Sequence, residues 1–203
     1  IKIIRYIYTV NWFKIRSCFR SHVLRYFCPN LIKMEALKNT AECKRCFIVA
    51  TGPSLIPEDL KLIKNEVTFG VNSIFLMYDK TDWRPDYYVC TDAPYFTKIV
   101  NEYKIKAKEL SKKDIFLNAK SKKINKLLEE TPCTHYINFS GWNRAYDFDK
   151  YQYSDDIVAG LYAFGTVTNI AISIAMYLGF SEIFLIGADC SNLNKHFIND
   201  ITD

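Results

Sequence analysis

The chain has 203 residues, 49% hydrophobic and 15% aromatic, with 27 basic and 22 acidic side chains and a formal net charge of +5. That composition excludes a disordered chain and fits one globular domain long enough to bury a full core. No run approaches the ~20 apolar residues of a membrane-spanning helix, and charges repeatedly break the apolar opening residues, so no secretory leader is visible.

The positive charge is local. Residues 1–34 hold seven basic groups (Lys2, Arg5, Lys14, Arg16, Arg20, Arg25, Lys33) and no acidic one, which leaves 20 basic against 22 acidic groups in the remainder. The body is therefore near neutral and carries no general nucleic-acid signature. Residues 1–28 place Ile4, Ile7, Ile15, Phe19 and Val23 among basic positions in a roughly helical pattern. Such a segment suits an anionic membrane surface, or equally a helix packed on the domain with its basic face in water. Cys28-Pro29-Asn30 reads as a break. The expected organisation is a basic aromatic helical arm over 1–40 and an α/β domain over 41–203. The chain does not begin with Met and its C-terminus is expected to be incomplete.

Seven cysteines (Cys18, Cys28, Cys43, Cys46, Cys90, Cys133, Cys190) are odd in number and scattered. Several sit in apolar runs, as small hydrophobes do, so they read as reduced thiols of a cytoplasmic protein. Cys43-Lys44-Arg45-Cys46 has CxxC spacing, but no second pair completes a zinc site and the motif precedes a strand instead of opening a helix.

From Cys46 onward the pattern alternates. Strands are expected at Phe47–Ala50, Val67–Asn72, Tyr87–Asp92, Asp114–Leu117, His135–Phe139 and Glu182–Gly187. Helices are expected at Pro57–Lys64, Tyr95–Leu110, Ser121–Glu130 and Gly165–Leu178, with a short helix or turn at Ser73–Tyr78 and an irregular aromatic stretch over 141–160. This alternation predicts a Rossmann-like three-layer α/β/α fold with a mostly parallel sheet. The first unit is the most telling: an apolar run stops at Gly52-Pro53-Ser54 before a helical segment. A strand–turn–helix junction of this kind presents amides to an anion, with glycine allowing close approach and Ser54 able to cap the helix or bond an oxyanion. An ordinary ligand-free β–α turn has the same pattern. Four strands, however, end on polar residues: Thr51, Asn72, Asp92 and Asp189. Ligands of parallel sheets bind beyond the carboxyl ends of the strands. One such residue is explained as a turn former or cap; four together point to a crevice.

Taken in order, Thr51-Gly52-Pro53-Ser54-Leu55, Gly70-Val71-Asn72, Arg84 through Asp92, Gly165, and Ala175 through Asp189 followed by His196 resemble one superfamily. It joins the bacterial sialyltransferases of glycosyltransferase family 42 to the 6-hydroxymethylpterin diphosphokinase-like proteins, once a domain of unknown function. The resemblance covers about residues 46–198 and not residues 1–40.

The sialyltransferase branch implies a CMP-sugar donor and a glycan acceptor in cell-envelope polysaccharide synthesis. It implies nucleotide binding by Thr51, Gly52, Pro53, Ser54, Asn72, Asp92, Gly165 and Asp189, and support of the leaving phosphate by Tyr153 and Tyr162. His196 would be the general base, with no metal or other cofactor required. The pterin branch implies Mg²⁺ and ATP instead, with Asp92 and Asp189 as metal ligands; the chain has no Walker-type Gly-x-x-x-x-Gly-Lys-Ser/Thr sequence. A third expectation is a non-catalytic nucleotide-binding module. The chain departs from the glycosyltransferase pattern at Thr51, where that family usually has Asn, and at Thr91-Asp92, which is closer to the pterin branch. It also stops seven residues after His196, where relatives carry part of a lid. His22 and His135 read as structural. Residues 1–28 are a candidate for peripheral membrane contact, with packing on the domain the equal alternative, and the oligomeric state is left open.

Overall fold

A computed structural model describes residues 28–42, 44–103, 107–119, 133–140, 156–162 and 166–189. In chain order these form α1 (Pro29–Glu35), β1 (Arg45–Val49), α2 (Pro57–Leu62), β2 (Val67–Val71), a 3-10 turn (Asn72–Met77), β3 (Tyr87–Cys90), α3 (Ala93–Tyr103), α4 (Ala107–Leu110), β4 (Asp114–Asn118), β5 (Thr134–Ile137), β6 (Phe139–Ser140), β7 (Leu161–Tyr162), α5 (Val167–Leu178) and β8 (Glu182–Ile186). The six longer strands make one sheet in the order β5-β4-β3-β2-β1-β8, and every pairing in it is parallel. The three-layer α/β expectation stands.

Strand composition explains the two buried faces. Successive side chains point to opposite sides of a strand, and these strands are apolar on both. Cys46, Ile48, Phe69, Val71, Val89, Phe116 and Ile137 pack with Leu31 and Met34 of α1 and with Ile170, Ala171, Ile174 and Leu178 of α5. Val49, Tyr88, Cys90, Ile115 and Leu117 face the other way, onto Leu60 of α2, Ile74 and Phe75 of the 3-10 turn, Phe96 of α3 and Leu110 of α4. The helix α5 is capped at both ends: the Thr166 hydroxyl accepts from the Thr168 amide, and Gly179 takes the left-handed conformation at φ 91°.

The Cys28-Pro29-Asn30 sequence does not simply end a segment. Pro29 opens α1, because a proline at the first helical position loses only an amide that had no partner there. Asn30 then guards the sheet edge. Its Nδ2 donates to the Tyr136 carbonyl and its Oδ1 accepts from the Tyr136 amide, both at 2.9 Å, so one side chain imitates a neighbouring strand along β5. Asn30→Ala removes both bonds. A stability loss of about 1–2 kcal/mol is expected, read as a lower denaturant midpoint at unchanged slope.

The opposite edge differs. The apolar run of β8 is the last strand of the described sheet. Phe184 stacks on Phe47 with ring centroids 5.1 Å apart, while Phe184 and Leu185 remain 43% and 48% exposed.

Candidate functional site

The strand order sets where a ligand fits. From β1 the chain moves through β2, β3, β4 and β5 on one side, whereas β8 lies on the other side of β1. The order thus reverses between β1 and β8, and crevices in open parallel sheets form at such a reversal, beyond the carboxyl ends. Thr51 to Ser54 leave β1 there, and Gly187 to Asp189 leave β8 beside them, since Val49 pairs with Ile186. On the other flank Val49 pairs with Gly70, so Thr51 and Asn72 emerge from adjacent strands. Val71 pairs with Val89, which brings Thr91 and Asp92 to the same edge. The structure therefore gathers Thr51, Gly52, Pro53, Ser54, Asn72, Asp92 and Asp189 along one rim.

The turn after β1 is clasped from within. The Ser54 amide donates to Asp189 Oδ2 at 2.7 Å and the Ser54 hydroxyl donates to Asp189 Oδ1 at 2.6 Å. The Gly52 amide donates to the Gly187 carbonyl at 2.7 Å, and the Leu55 amide to the Gly52 carbonyl at 3.1 Å. Ser54 therefore does not cap α2. Ile56 precedes that helix, and its amide is met by Asp59 Oδ2 at 3.2 Å. Gly52 is required for the clasp: a Cβ there would collide with Asp189 Oδ2 and lie 2.5 Å from the Gly187 carbonyl oxygen. The two Ser54 bonds hold the Asp189 carboxyl below its ordinary range. A carboxylate depressed in the folded state adds stability above its unfolded value, and the clasp weakens as pH falls through the depressed folded value.

Asn72 is the second distinctive residue. It has a left-handed backbone, φ 45°, uncommon for any residue but glycine and best tolerated by Asn and Asp. Its carbonyl accepts from the Tyr88 hydroxyl at 2.6 Å. Burial pushes the Tyr88 phenol well above its ordinary range, so that hydroxyl remains a donor. The Asn72 Oδ1 is buried and has no hydrogen-bond partner among the described residues. A buried acceptor without a donor costs about 1–3 kcal/mol, and no described residue supplies a donor to this one.

Asp92 has a structural engagement: its Oδ1 accepts from the Tyr95 amide at 3.0 Å, the bond of a residue that caps a helix, here α3. Cys46 and Cys90 are buried and their thiols are pushed up to about 12 by desolvation, so neither is a ready nucleophile. His135 is buried on β5, where its Nε2 meets Asp114 Oδ1 at 2.8 Å. Among the described residues no group of His, Cys, Asp and Glu has the arrangement of a metal centre, and no helix is long and apolar enough to cross a membrane.

Several expected residues lie outside the described ones: His196, Gly165, Tyr153, Cys43, residues 1–27 and the helix expected at Ser121–Glu130. Tyr162 lies in β7, where it pairs with Ser140. Two rim features escaped the sequence reading. Asn118 ends β4 and donates from Nδ2 to the Thr91 carbonyl at 2.8 Å; the strand-end rule that found Asn72 would have found it. Gly187 takes φ +65° with its would-be Cβ 2.9 Å from the Ala50 carbonyl oxygen; the Gly-Ala-Asp sequence after β8 was the available signal.

No curated protein matches this sequence. Among solved structures it is similar to the MAf glycosyltransferase from Magnetospirillum magneticum AMB-1. That likeness has 20% identity and a TM-score of 0.46, and it covers 78% of this chain and 27% of that one. The chain thus spans about a quarter of the length of that protein. The sequence profile of 6-hydroxymethylpterin diphosphokinase MptE-like proteins matches residues 24–195, a span that takes in the whole sheet, the clasped turn and the rim. With α1, the turn at Gly52 and the rim at Asn72 and Asp189 all inside that match, the chain belongs to the 6-hydroxymethylpterin diphosphokinase MptE-like family, whose name is that of a transferase.

Proposed function

We propose that this protein is a nucleotide-dependent transferase whose ligand lies beyond the carboxyl ends of β1, β2, β3 and β8, with a sugar carried on a cytidine nucleotide as the group transferred. The observation that carries the reading is Asn72: a left-handed backbone and a buried, unpartnered Oδ1, next to a glycine turn at the reversal of strand order. Strain and unsatisfied polarity kept together at a strand end favour a ligand-binding role.

The choice of a CMP-sugar rests on the ordered likeness of Thr51–Leu55, Asn72 and His196 to the sialyltransferases. In this reading the acceptor is a hydroxyl of a cell-envelope glycan. His196 takes its proton as the anomeric carbon is attacked, and the departing nucleotide phosphate gains charge that Tyr153 and Tyr162 stabilise. The basic residues 1–28 hold the enzyme at the anionic cytoplasmic face of the membrane. The family name favours a second reading, diphosphoryl transfer from ATP, in which Asp92 and Asp189 hold Mg²⁺. Both carboxylates already accept hydrogen bonds from the chain, so they would serve the metal only with their remaining lone pairs.

Calorimetry with CMP, CDP, ATP and GTP, each with and without Mg²⁺, separates the two. The glycosyltransferase reading expects cytidine nucleotides to bind best and binding to survive EDTA. Preference for ATP that vanishes in EDTA supports the second reading and overturns the first. His196→Ala is expected to abolish transfer at unchanged nucleotide affinity; unaltered turnover removes His196 from the mechanism.

A further inference from the structure

We infer that Asp189 is a specificity-determining residue of the rim: its carboxylate takes the place a phosphate would occupy at the Gly52–Ser54 turn, so the crevice meets an uncharged, hydrogen-bond-donating part of its ligand there and refuses free phosphate and pyrophosphate. The inference rests on the reading that the rim binds a nucleotide, and it concerns which end of the nucleotide the turn faces.

The argument is an accounting of donors. An anion at a glycine turn is held by backbone amides aimed at it. Here the Gly52 amide is spent on the Gly187 carbonyl and the Leu55 amide on the Gly52 carbonyl. Pro53 has no amide hydrogen. The Ser54 amide and hydroxyl are both spent on Asp189, and the Ile56 amide is met by Asp59. From Gly52 to Ile56 every donor of the chain has an internal acceptor. The first turn of α2 adds Glu58 and Asp59, so an incoming phosphate would meet negative charge and, from Gly52 to Ile56, no open donor. The space above Gly52 is taken by the Asp189 carboxylate.

Beside the turn the described rim adds acceptor atoms, although the Asn72 amide also carries N–H donors. Asn72 Oδ1 is buried without a donor, and each Asp189 oxygen keeps lone pairs beyond its single Ser54 bond. Sugar hydroxyls or an amine satisfy such groups; a phosphate dianion does not. The ligand's phosphates are therefore placed away from the turn.

The test uses the full chain and its Asp189→Asn and Asp189→Ala variants, with calorimetry against cytidine, adenosine, CMP, AMP and pyrophosphate. Asp189→Asn removes the charge, keeps an oxygen for the Ser54 amide and turns its NH2 to the Ser54 hydroxyl, which can accept, so it guards against loss of the turn in Asp189→Ala; a thermal melt checks the fold of both. For the natural chain, no heat with millimolar pyrophosphate is expected, and one nucleoside should bind within about tenfold of its monophosphate. Both variants should bind pyrophosphate at least about tenfold more tightly, because a like charge is gone, and Asp189→Ala should bind the nucleoside more weakly. Pyrophosphate that binds the natural chain and displaces the nucleoside overturns the inference, as does a folded pair of variants with no gain for pyrophosphate. If no nucleoside or nucleotide binds the natural chain, the nucleotide reading falls. A gain for pyrophosphate in the variants would then still establish Asp189 as the group that excludes it.

Discussion

Replacing Gly52 by alanine is expected to abolish nucleotide binding and to lower stability by about 1–3 kcal/mol, the cost of forcing a methyl group into a filled site. The new Cβ would lie 2.5 Å from the Gly187 carbonyl oxygen and 2.9 Å from the Asp189 carboxyl carbon, besides colliding with Asp189 Oδ2. One of these neighbours is a backbone carbonyl that already accepts the Gly52 amide at 2.7 Å, so it cannot swing aside as a side-chain tip would. The turn after β1 and the turn after β8 must separate, and both Ser54 bonds to Asp189 go with them. Denaturant midpoints and calorimetry on the same preparation measure the two losses. A double-mutant cycle with Asp189→Ala apportions the clash. Because the Gly187 carbonyl remains, truncating Asp189 should recover only part of the stability lost by Gly52→Ala. Full recovery would show that the carboxylate alone imposes glycine at this position, and unchanged stability in the single variant would mean that the clasp does not hold the turn.

The order of strands and their polar ends was legible because both come from local patterns. Apolar runs of four to six residues bounded by turn formers marked β1, β2, β3, β4 and β8, and Asn72, Asp92 and Asp189 stood where those runs stopped. What those ends do to one another was not legible. Ser54 and Asp189 are 135 positions apart in sequence, and nothing local says that a turn serine will spend both donors on a distant carboxylate. The pattern Gly-Pro-Ser is the same whether the amides await a phosphate or are already taken. Pro29 was legible as a break but not as a beginning: a proline that ends one segment equally opens another, and the packing of Leu31 and Met34 into the core is what shows the helix that follows. Asp92 shows the reverse limit, since the plain alternative for a strand-end aspartate, a helix cap, is a bond the structure contains.

Asn72→Gly should separate the backbone from the side chain at the rim more cleanly than any other change. Asn72 holds φ 45°, a conformation that costs a residue with a Cβ roughly 1–2 kcal/mol and that glycine adopts freely. The substitution therefore keeps the turn and the Asn72 carbonyl that receives the Tyr88 hydroxyl, and it deletes the unpartnered Oδ1. Stability should stay level or rise by up to about 1 kcal/mol, the relieved strain being partly offset by the greater freedom of glycine in the unfolded chain. Asn72→Ala deletes the same amide and keeps the strain, so it should be less stable than Asn72→Gly by about 1 kcal/mol. If the amide contacts the ligand, both variants should lose nucleotide affinity by a similar factor, roughly tenfold for one hydrogen bond in a buried setting, although their stabilities differ. Two variants that split in stability but agree in affinity identify a side chain kept for binding at the expense of the fold. Were Asn72→Gly instead to bind as tightly as the natural chain, the residue would be there only for its left-handed turn, and the rim would lose the acceptor on which the proposed ligand contact rests.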